Sequence, residues 1–501
     1  MIMKRTITLI LALTAFACAV AAQDVYTDRF QNGDLIPDYS RVGYHWGDKE
    51  IPDVPVVMKI KAPKKGQDAT QLIQEAINTA RVPGAILLKA GTYNVSETIK
   101  IRRSGIVLRG EGESTRIVAT GTKSYTLIEV GAPRAKENYD KKSETPVIED
   151  ASCGQMWLKV EKPRNFKPGD RVGIRRPATE NWIRDLRMDS IPPRSDTRQW
   201  EPKDYNLEWE RIVTRVDDDR IWFENPIVMG LTAEYGGGTV VKVEKDRISE
   251  VGVEGISFDS WFDAEKTDPK KGYYNDEEHG WTAIRVGFAE HGWIRRVSSH
   301  HFGYALVSLN TGCKNYSVID CHCYEPVSII TGGRRYAFNL GGGQLNFFDG
   351  CTTDKDRHQF VTGARVCGPN VFHRCTATNS YSDCGPHHRW STGVLYDCVK
   401  VDYRFDMEDR MNYGTGHGWA GANFILWNCE AGSFACQSPW VSAKNYAVGC
   451  IGPRHPGSRR DNHDRPQAEW ESYGQHVSPE SLYEYQLAQR REKGIKAVPT
   501  E

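Results

Sequence analysis

The chain has 501 residues, ample for a sizeable core and for more than one domain. Its 65 Lys and Arg balance 65 Asp and Glu, which argues against a general nucleic-acid binder. Only 39% of residues are apolar, yet there are 14 Trp and 22 Tyr, a surplus that suits either sugar stacking or core filling.

Residues 1–22 read as an export signal. Lys4 and Arg5 precede a mostly apolar run from Leu9 to Val20, and Val20, Ala21 and Ala22 form a small-residue cleavage site before Gln23. The expectation is a secreted or periplasmic protein; lipid anchoring at Cys18 is the lesser alternative. No later segment has the roughly 20 uninterrupted apolar residues that a membrane span needs. Residues 23–65 are polar and turn-rich and predict an extended segment lying on the body.

From Gln67 the pattern sharpens. Asp68 and Gln71 have capping-box spacing. Leu72, Ile73, Ala76, Ile77 and Ala80 then form one apolar helical face, ended by Val82, Pro83 and Gly84. Short strands follow up to Gly110 and Gly112. The stretches DATQLIQEAINTA, GAILLKAGTYNV and GIVLRGEG resemble the opening of the pectate-lyase-like superfamily of right-handed parallel β-helices. That family contains polysaccharide lyases, inverting glycoside hydrolases and phage tailspikes. The resemblance covers about residues 66–118 and implies the fold. It leaves the reaction open, because neither the arginine-centred motif of pectate lyases nor the paired aspartates of polygalacturonases is present.

Residues 66–150 are read as the cap and first coils, and residues 151–245 as a β-rich insertion that breaks the coil rhythm. Asn181, Trp182 and Arg184 open a long loop through Trp200 and Tyr205, either a lid over a groove or a rigid surface loop. Coils resume over residues 246–453. There NYSVIDC, NFFDGC, NVFHRC, GVLYDC, NFILWNC and NYAVGC align on Cys321, Cys351, Cys375, Cys398, Cys429 and Cys450, at intervals of 30, 24, 23, 31 and 21 residues. Apolar strands with turns between them at this period predict a β-solenoid, with the cysteines as a mostly reduced internal ladder. The fold class read from the sequence is therefore all-β: a right-handed parallel β-helix with an N-terminal capping helix, a β-rich insertion and a C-terminal helical tail. Residues 454–501 form that tail, with a helix beginning at Ser478 and Pro479.

A second column lies upstream in the same coils. His358 and Phe360, His388 and Trp390, and His417 and Trp419 recur with similar spacing. Residues i and i+2 of a strand share a face, so these pairs predict a His and aromatic row across successive coils. The bland alternative is a structural polar ladder. The candidate catalytic residues are His388, His417, Arg389, His358 and His387. The candidate substrate-binding residues are Trp390, Trp419, Arg357, Arg410, Arg334, Arg335 and Asp383. His titrates near neutrality and Arg forks onto carboxylates, so the leading expectation is β-elimination on a uronate-containing, acidic polysaccharide. An Arg, with Arg389 first, neutralises the uronate carboxylate. His388 or His417 removes the acidified ring proton, and the other His or a tyrosine protonates the leaving oxygen. One alternative is an inverting hydrolase using two of Asp383, Asp406, Glu408, Asp409, Asp354 and Asp356. Another is a non-catalytic glycan-binding β-helix. No cofactor is required by the residues. The resemblance implies calcium as an option, although no compact calcium motif is present, and a zinc site on His387, His388 and His417 is a further one.

Overall fold

The computed structural model describes residues 29–132, 136–458 and 463–498; the leader assigned to residues 1–22, with Cys18, lies outside them. The chain winds into a parallel β-helix, the architecture that the resemblance implies. In one ladder Ser317 pairs with Phe347, Phe347 with Val371, Val371 with Leu395, Leu395 with Ile425 and Ile425 with Tyr446. The alternate positions Val318, Phe348, Phe372, Tyr396 and Leu426 point inward and are fully buried. Their rings stack from coil to coil, Phe348 on Phe372 at 4.5 Å and Phe372 on Tyr396 at 5.1 Å. A second ladder carries Ser298, His322, Thr352, Thr376, Lys400 and Glu430. A third sheet of seven strands runs from Ile99–Ile101 to Gly385–Pro386.

From Arg296 to Cys450 the corner between the first and second ladders is two residues in every coil. The first adopts a left-handed backbone: Arg296, Asp320, Gly350, Arg374, Cys398, Asn428 and Gly449. The second fills the core: Val297, Cys321, Cys351, Cys375, Val399, Cys429 and Cys450, none more than 1% exposed. The cysteine ladder thus exists with one correction. In the fourth aligned segment Val399, not Cys398, takes the internal place, and Cys398 sits at the turn with its thiol on the carbonyl of Glu480. The ladder thiols lie against backbone carbonyls of the preceding coil, Cys351 on Val318 at 3.5 Å and Cys429 on Tyr396 at 3.2 Å. Burial pushes the Cys351 and Cys429 thiols well above their usual range, so they pack as small apolar groups.

The insertion is a six-stranded antiparallel sheet. It starts before residue 151, because the strand Glu137–Pro146 forms its edge against Thr239–Lys245. An ion cluster fastens it to the coils. Glu210, 1% exposed, receives both guanidinium nitrogens of Arg247 at 2.9 and 2.8 Å and the Lys314 ammonium at 3.2 Å. Arg171 forks onto Glu290 at 2.7 and 2.8 Å beside it. Burial alone would raise the Glu210 carboxyl, but Lys314, Arg247 and Lys245 hold it well below the carboxylate range.

Helix α1, Thr70–Thr79, buries Ile73, Ala76 and Ile77 in the core of the first coils. Leu72, expected on that face, is 41% exposed. Asp68 accepts the Thr70 amide, while Gln71 turns to Glu75 and does not close a capping box. A single-turn helix α2, Glu180–Asp185, opens the long loop of the insertion. Helix α3, Leu482–Glu492, starts after Ser481, three residues later than the Ser-Pro signal suggests. Ser481 accepts the Glu484 amide, and the buried Asp397 carboxylate accepts from Ser481 Oγ and the Tyr483 amide. With Phe30, Ile36 and Tyr39 of the N-terminal segment, α3 covers Phe347, Val371, Leu395 and Ile425 on the outer face of the first ladder. That cover explains why those outward positions are apolar.

Candidate active site

The functional types gather at the edge of the third sheet, over four successive coils. His358 starts the strand His358–Thr362 and pairs with Tyr336 of the coil before. It shares a strand face with Phe360, a core residue, so its imidazole lies at the rim of the core and is fully buried. In the next coil Thr362 pairs with Pro386, which places His387 and His388 just past the strand. His358 and His388 are therefore not equivalent positions; the column of identical registers expected from their spacing is not formed. The four imidazoles nevertheless converge. Ring centres lie 4.4 Å apart for His358 and His387, and 5.0 Å for both His387 with His417 and His388 with His417.

Asp383 and Arg410 anchor the cluster. Asp383 accepts from Arg410 Nη1 at 2.5 Å and from Ser382 Oγ at 2.8 Å. His358 Nδ1 donates to the Asp383 backbone carbonyl at 2.7 Å, with the carboxylate at 3.4 Å. Burial opposes ionisation of Asp383, but Arg410 and His358 hold it well below the usual range. Tyr336 Oη lies 3.0 Å from His387 Nε2. Burial first, and then neighbouring cations, push His388 down to about 3 and His417 down to about 2. His358 and His387 move down for the same first cause. All four are neutral imidazoles near neutrality, each offering an unprotonated nitrogen and none able to donate a proton from a cation.

The backbone is turned to achieve this. Arg389 and Trp390 are consecutive left-handed residues, with φ of 56° and 58°. Each costs about 1–2 kcal/mol in a residue with a Cβ. The turn leaves His388 and Arg389 partly exposed and sends Trp390 the other way, into the insertion. Trp390 and Trp419 are fully buried, Trp390 edge-on to Trp182 at 4.9 Å and Trp419 edge-on to Trp440 at 5.3 Å. That corrects the expectation that they stack a sugar. The loop of Trp182, Trp200 and Tyr205 is packed down on them; it is the rigid element, not a lid. The glycines beside His417 serve the same packing. A Cβ at Gly416 would stand 2.5 Å from the Arg198 carbonyl, and one at Gly418 would overlap Met188. It is the insertion, not a ligand, that comes close there.

The arginines divide. Arg335 is 3% exposed and bonded to the Ser328 carbonyl, so it cannot reach a substrate. Arg334 forks onto Glu277 at 2.7 and 3.0 Å, and Arg410 is committed to Asp383. Arg357 and Arg389 form no ion pair among the described residues. Arg357 lies over the Tyr336 ring at 6.0 Å, and Arg389 reaches the Thr415 carbonyl at 3.4 Å. Arg365, exposed and one coil before Arg389, joins them; its backbone N–H donates to the Arg389 carbonyl at 2.8 Å. Sequence reasoning missed Arg365, although a matched register one coil upstream was available as a signal. It also missed Tyr336 and Tyr381, the latter 45% exposed two residues from Asp383.

Of the carboxylates proposed for a hydrolase, three are bonded to donors of the protein, while Asp406 and Asp356 each keep an unmatched buried oxygen and burial raises both, Asp356 to about 8. Asp406 takes Arg404 at 2.9 Å, Glu408 takes the Ser458 amide at 2.6 Å, and Asp409 takes Arg465 at 2.8 Å, all three being buried. Calcium does not fit the cluster, since it takes six to eight oxygens and the cluster offers mainly imidazole nitrogen. A cavity of about 810 Å³ lies apart from the histidines, lined by Phe30, Asp150, Trp440, Lys444 and Tyr446.

No protein-family model matches the chain, and no curated protein matches it in sequence. Among solved structures it is similar to a tailspike protein of Pseudomonas phage LKA1, at 13% identity and a TM-score of 0.49. That match covers 76% of this chain and 56% of the tailspike, so the chain spans little more than half of that protein. An alginate lyase from Paenibacillus matches at 10% identity and a TM-score of 0.36, covering 84% of this chain and 99% of the lyase. A polygalacturonase from Erwinia carotovora matches at 9% identity and a TM-score of 0.35, covering 86% and 96%. At these identities and TM-scores the three likenesses say nothing of reaction or substrate.

Proposed function

We propose that the protein is an exported polysaccharide lyase that cleaves a uronate-containing polymer by β-elimination. One observation carries this reading. Neutral, partly exposed imidazoles of His388 and His417 lie beside guanidiniums with no acid partner, whereas Asp406, Glu408 and Asp409 are buried and each bonded to a donor of the protein. In this mechanism Arg389, with Arg365 and Arg357, pairs with the uronate carboxylate and withdraws charge from the ring. The adjacent C–H becomes acidic, and His388 or His417 takes its proton. The C–O bond to the leaving sugar breaks as the ring double bond forms. The phenol of Tyr336, already hydrogen-bonded to His387, returns a proton to the leaving oxygen. Proton transfer of this kind supplies about 10²–10⁴-fold. Charge stabilisation by the arginines is of comparable weight.

The test is an ultraviolet screen for unsaturated uronate products against pectins, alginate, glycosaminoglycans and ulvan. The reading expects a rising signal on one acidic polymer and its loss in His388→Ala. New reducing ends without that signal would make the protein a hydrolase. Binding without either would make it a glycan-binding β-helix.

A further inference from the structure

Six buried imidazole nitrogens lack a hydrogen-bond partner among the described residues, and four of them stand together: His358 Nε2, His387 Nδ1, His388 Nδ1 and His417 Nδ1. Leaving a buried polar atom unmatched costs about 1–3 kcal/mol, so four in one place call for an occupant. The fold seals a buried histidine elsewhere without difficulty. His279, equally buried, has Ser260 Oγ on Nδ1 and the Val327 carbonyl on Nε2, both at 2.9 Å.

We propose that His358, Asp383 and His387 form a binding site for a divalent transition-metal ion of the zinc class, with His388 and His417 beside it. One ligand atom from each of the three lies within 4.8 Å of the other two. Zinc–nitrogen bonds of about 2.0–2.1 Å then require the ligands to close in by about 1 Å. Both histidines are already oriented. His358 donates through Nδ1 to the Asp383 carbonyl, which leaves the buried Nε2 lone pair without a hydrogen-bond partner. His387 binds through Nδ1 in the tautomer whose Nε2–H donates to Tyr336 Oη. Metal-binding histidines characteristically carry such an outer partner on the other nitrogen. The Asp383 oxygens, bonded to Ser382 and Arg410, each retain a second lone pair. Two imidazoles and one carboxylate select zinc, cobalt, nickel or copper over calcium or magnesium. The trio of His387, His388 and His417 suggested by the sequence does not bring its ligand atoms together as tightly.

The full-length exported chain, free of any affinity tag, is stripped with chelator, dialysed against Zn²⁺ or Co²⁺, and assayed for bound metal by mass spectrometry. The expected result is one equivalent of Zn²⁺, undisturbed by millimolar Ca²⁺, and a visible ligand-field band with Co²⁺. Both should be lost in His358→Gln and His387→Gln, and Tyr336→Phe should weaken binding about 10-fold or more. The Co²⁺ band of the unsubstituted protein needs no variant, and near-ultraviolet dichroism shows whether each variant folds. No retained metal and no band, or retention unchanged in both folded histidine variants, overturns the site. Because no substrate enters the measurement, its failure is separate from a failure of the lyase reading.

Discussion

The protein buries two polar clusters, and they are built on opposite principles. Around Glu210 the charges are closed on one another: Arg247 forks onto it, Lys314 sits at 3.2 Å, and Arg171 forks onto Glu290 alongside. Both oxygens of Glu210 and of Glu290 are bonded there, and among the described residues one Glu224 oxygen and His291 Nδ1 beside them lack a hydrogen-bond partner. Around His387 the imidazoles are close enough to share neighbours, yet each keeps a nitrogen unmatched. The first arrangement fixes two parts of a molecule. The second holds free lone pairs beside free guanidiniums, at a cost in stability that a purely structural cluster has no reason to bear. A buried polar group is informative less by being buried than by whether its valences are spent.

The comparison breaks most visibly if Glu210 is removed. Glu210→Ala strands Lys314 and Arg247 in the interior and should cost about 3–5 kcal/mol, read by chemical denaturation. His388→Ala should leave the unfolding midpoint nearly unchanged and lower kcat about 10²–10⁴-fold on the acidic polymer. If it instead destabilises the fold as Glu210→Ala does, the histidines are structural. Acid sharpens the contrast. Glu210 and Glu290 have folded-state pKa values held below those of the unfolded chain. Their contribution is present above about pH 4.5 and is lost as pH falls through the folded values. Denaturation midpoints between pH 5 and 3 should therefore drop, and Glu210→Gln should flatten that slope. The smallest effect concerns Tyr381, the exposed ring next to the cluster. Tyr381→Ala should raise KM about 2- to 10-fold at constant kcat, the loss of a stacking contact of about 0.5–1.5 kcal/mol.

Much of the architecture was legible because the coil repeat is written in its strands. The cysteine spacing located the core ladder, and it failed at Cys398 for a physical reason. At that corner a cysteine occupies the left-handed position and a valine follows, and both types suit a strand, so spacing cannot say which one turns inward. The histidine row was harder. His358 and His388 share a local pattern, but the coil between Thr362 and Pro386 is shorter than the spacing of the two histidines, so their registers differ. Their convergence depends on loops that no periodicity describes. Trp390 and Trp419 were misread because an aromatic on a coil surface looks the same in sequence whether water or an inserted sheet covers it. The Arg410–Asp383 pair joins residues of adjacent coils, and only the fold brings them together.

The two-residue corner between the first and second ladders is constant in every coil from Arg296 to Cys450, whereas the segment leading into the third sheet runs from three residues, 355–357, to eleven, 325–335. Length varies on the segments that flank the third sheet, where the exit after Tyr125–Val130 takes up the whole insertion; Arg357 and His358 stand at the entry to that sheet, and Arg365, His387, His388 and Arg389 at its exit. Insertions and deletions can therefore accumulate where ligands are met without disturbing the stacking period. In evolutionary terms the scaffold and the recognition surface are inherited separately: a descendant can change what it grips while every coil still seats on the one before.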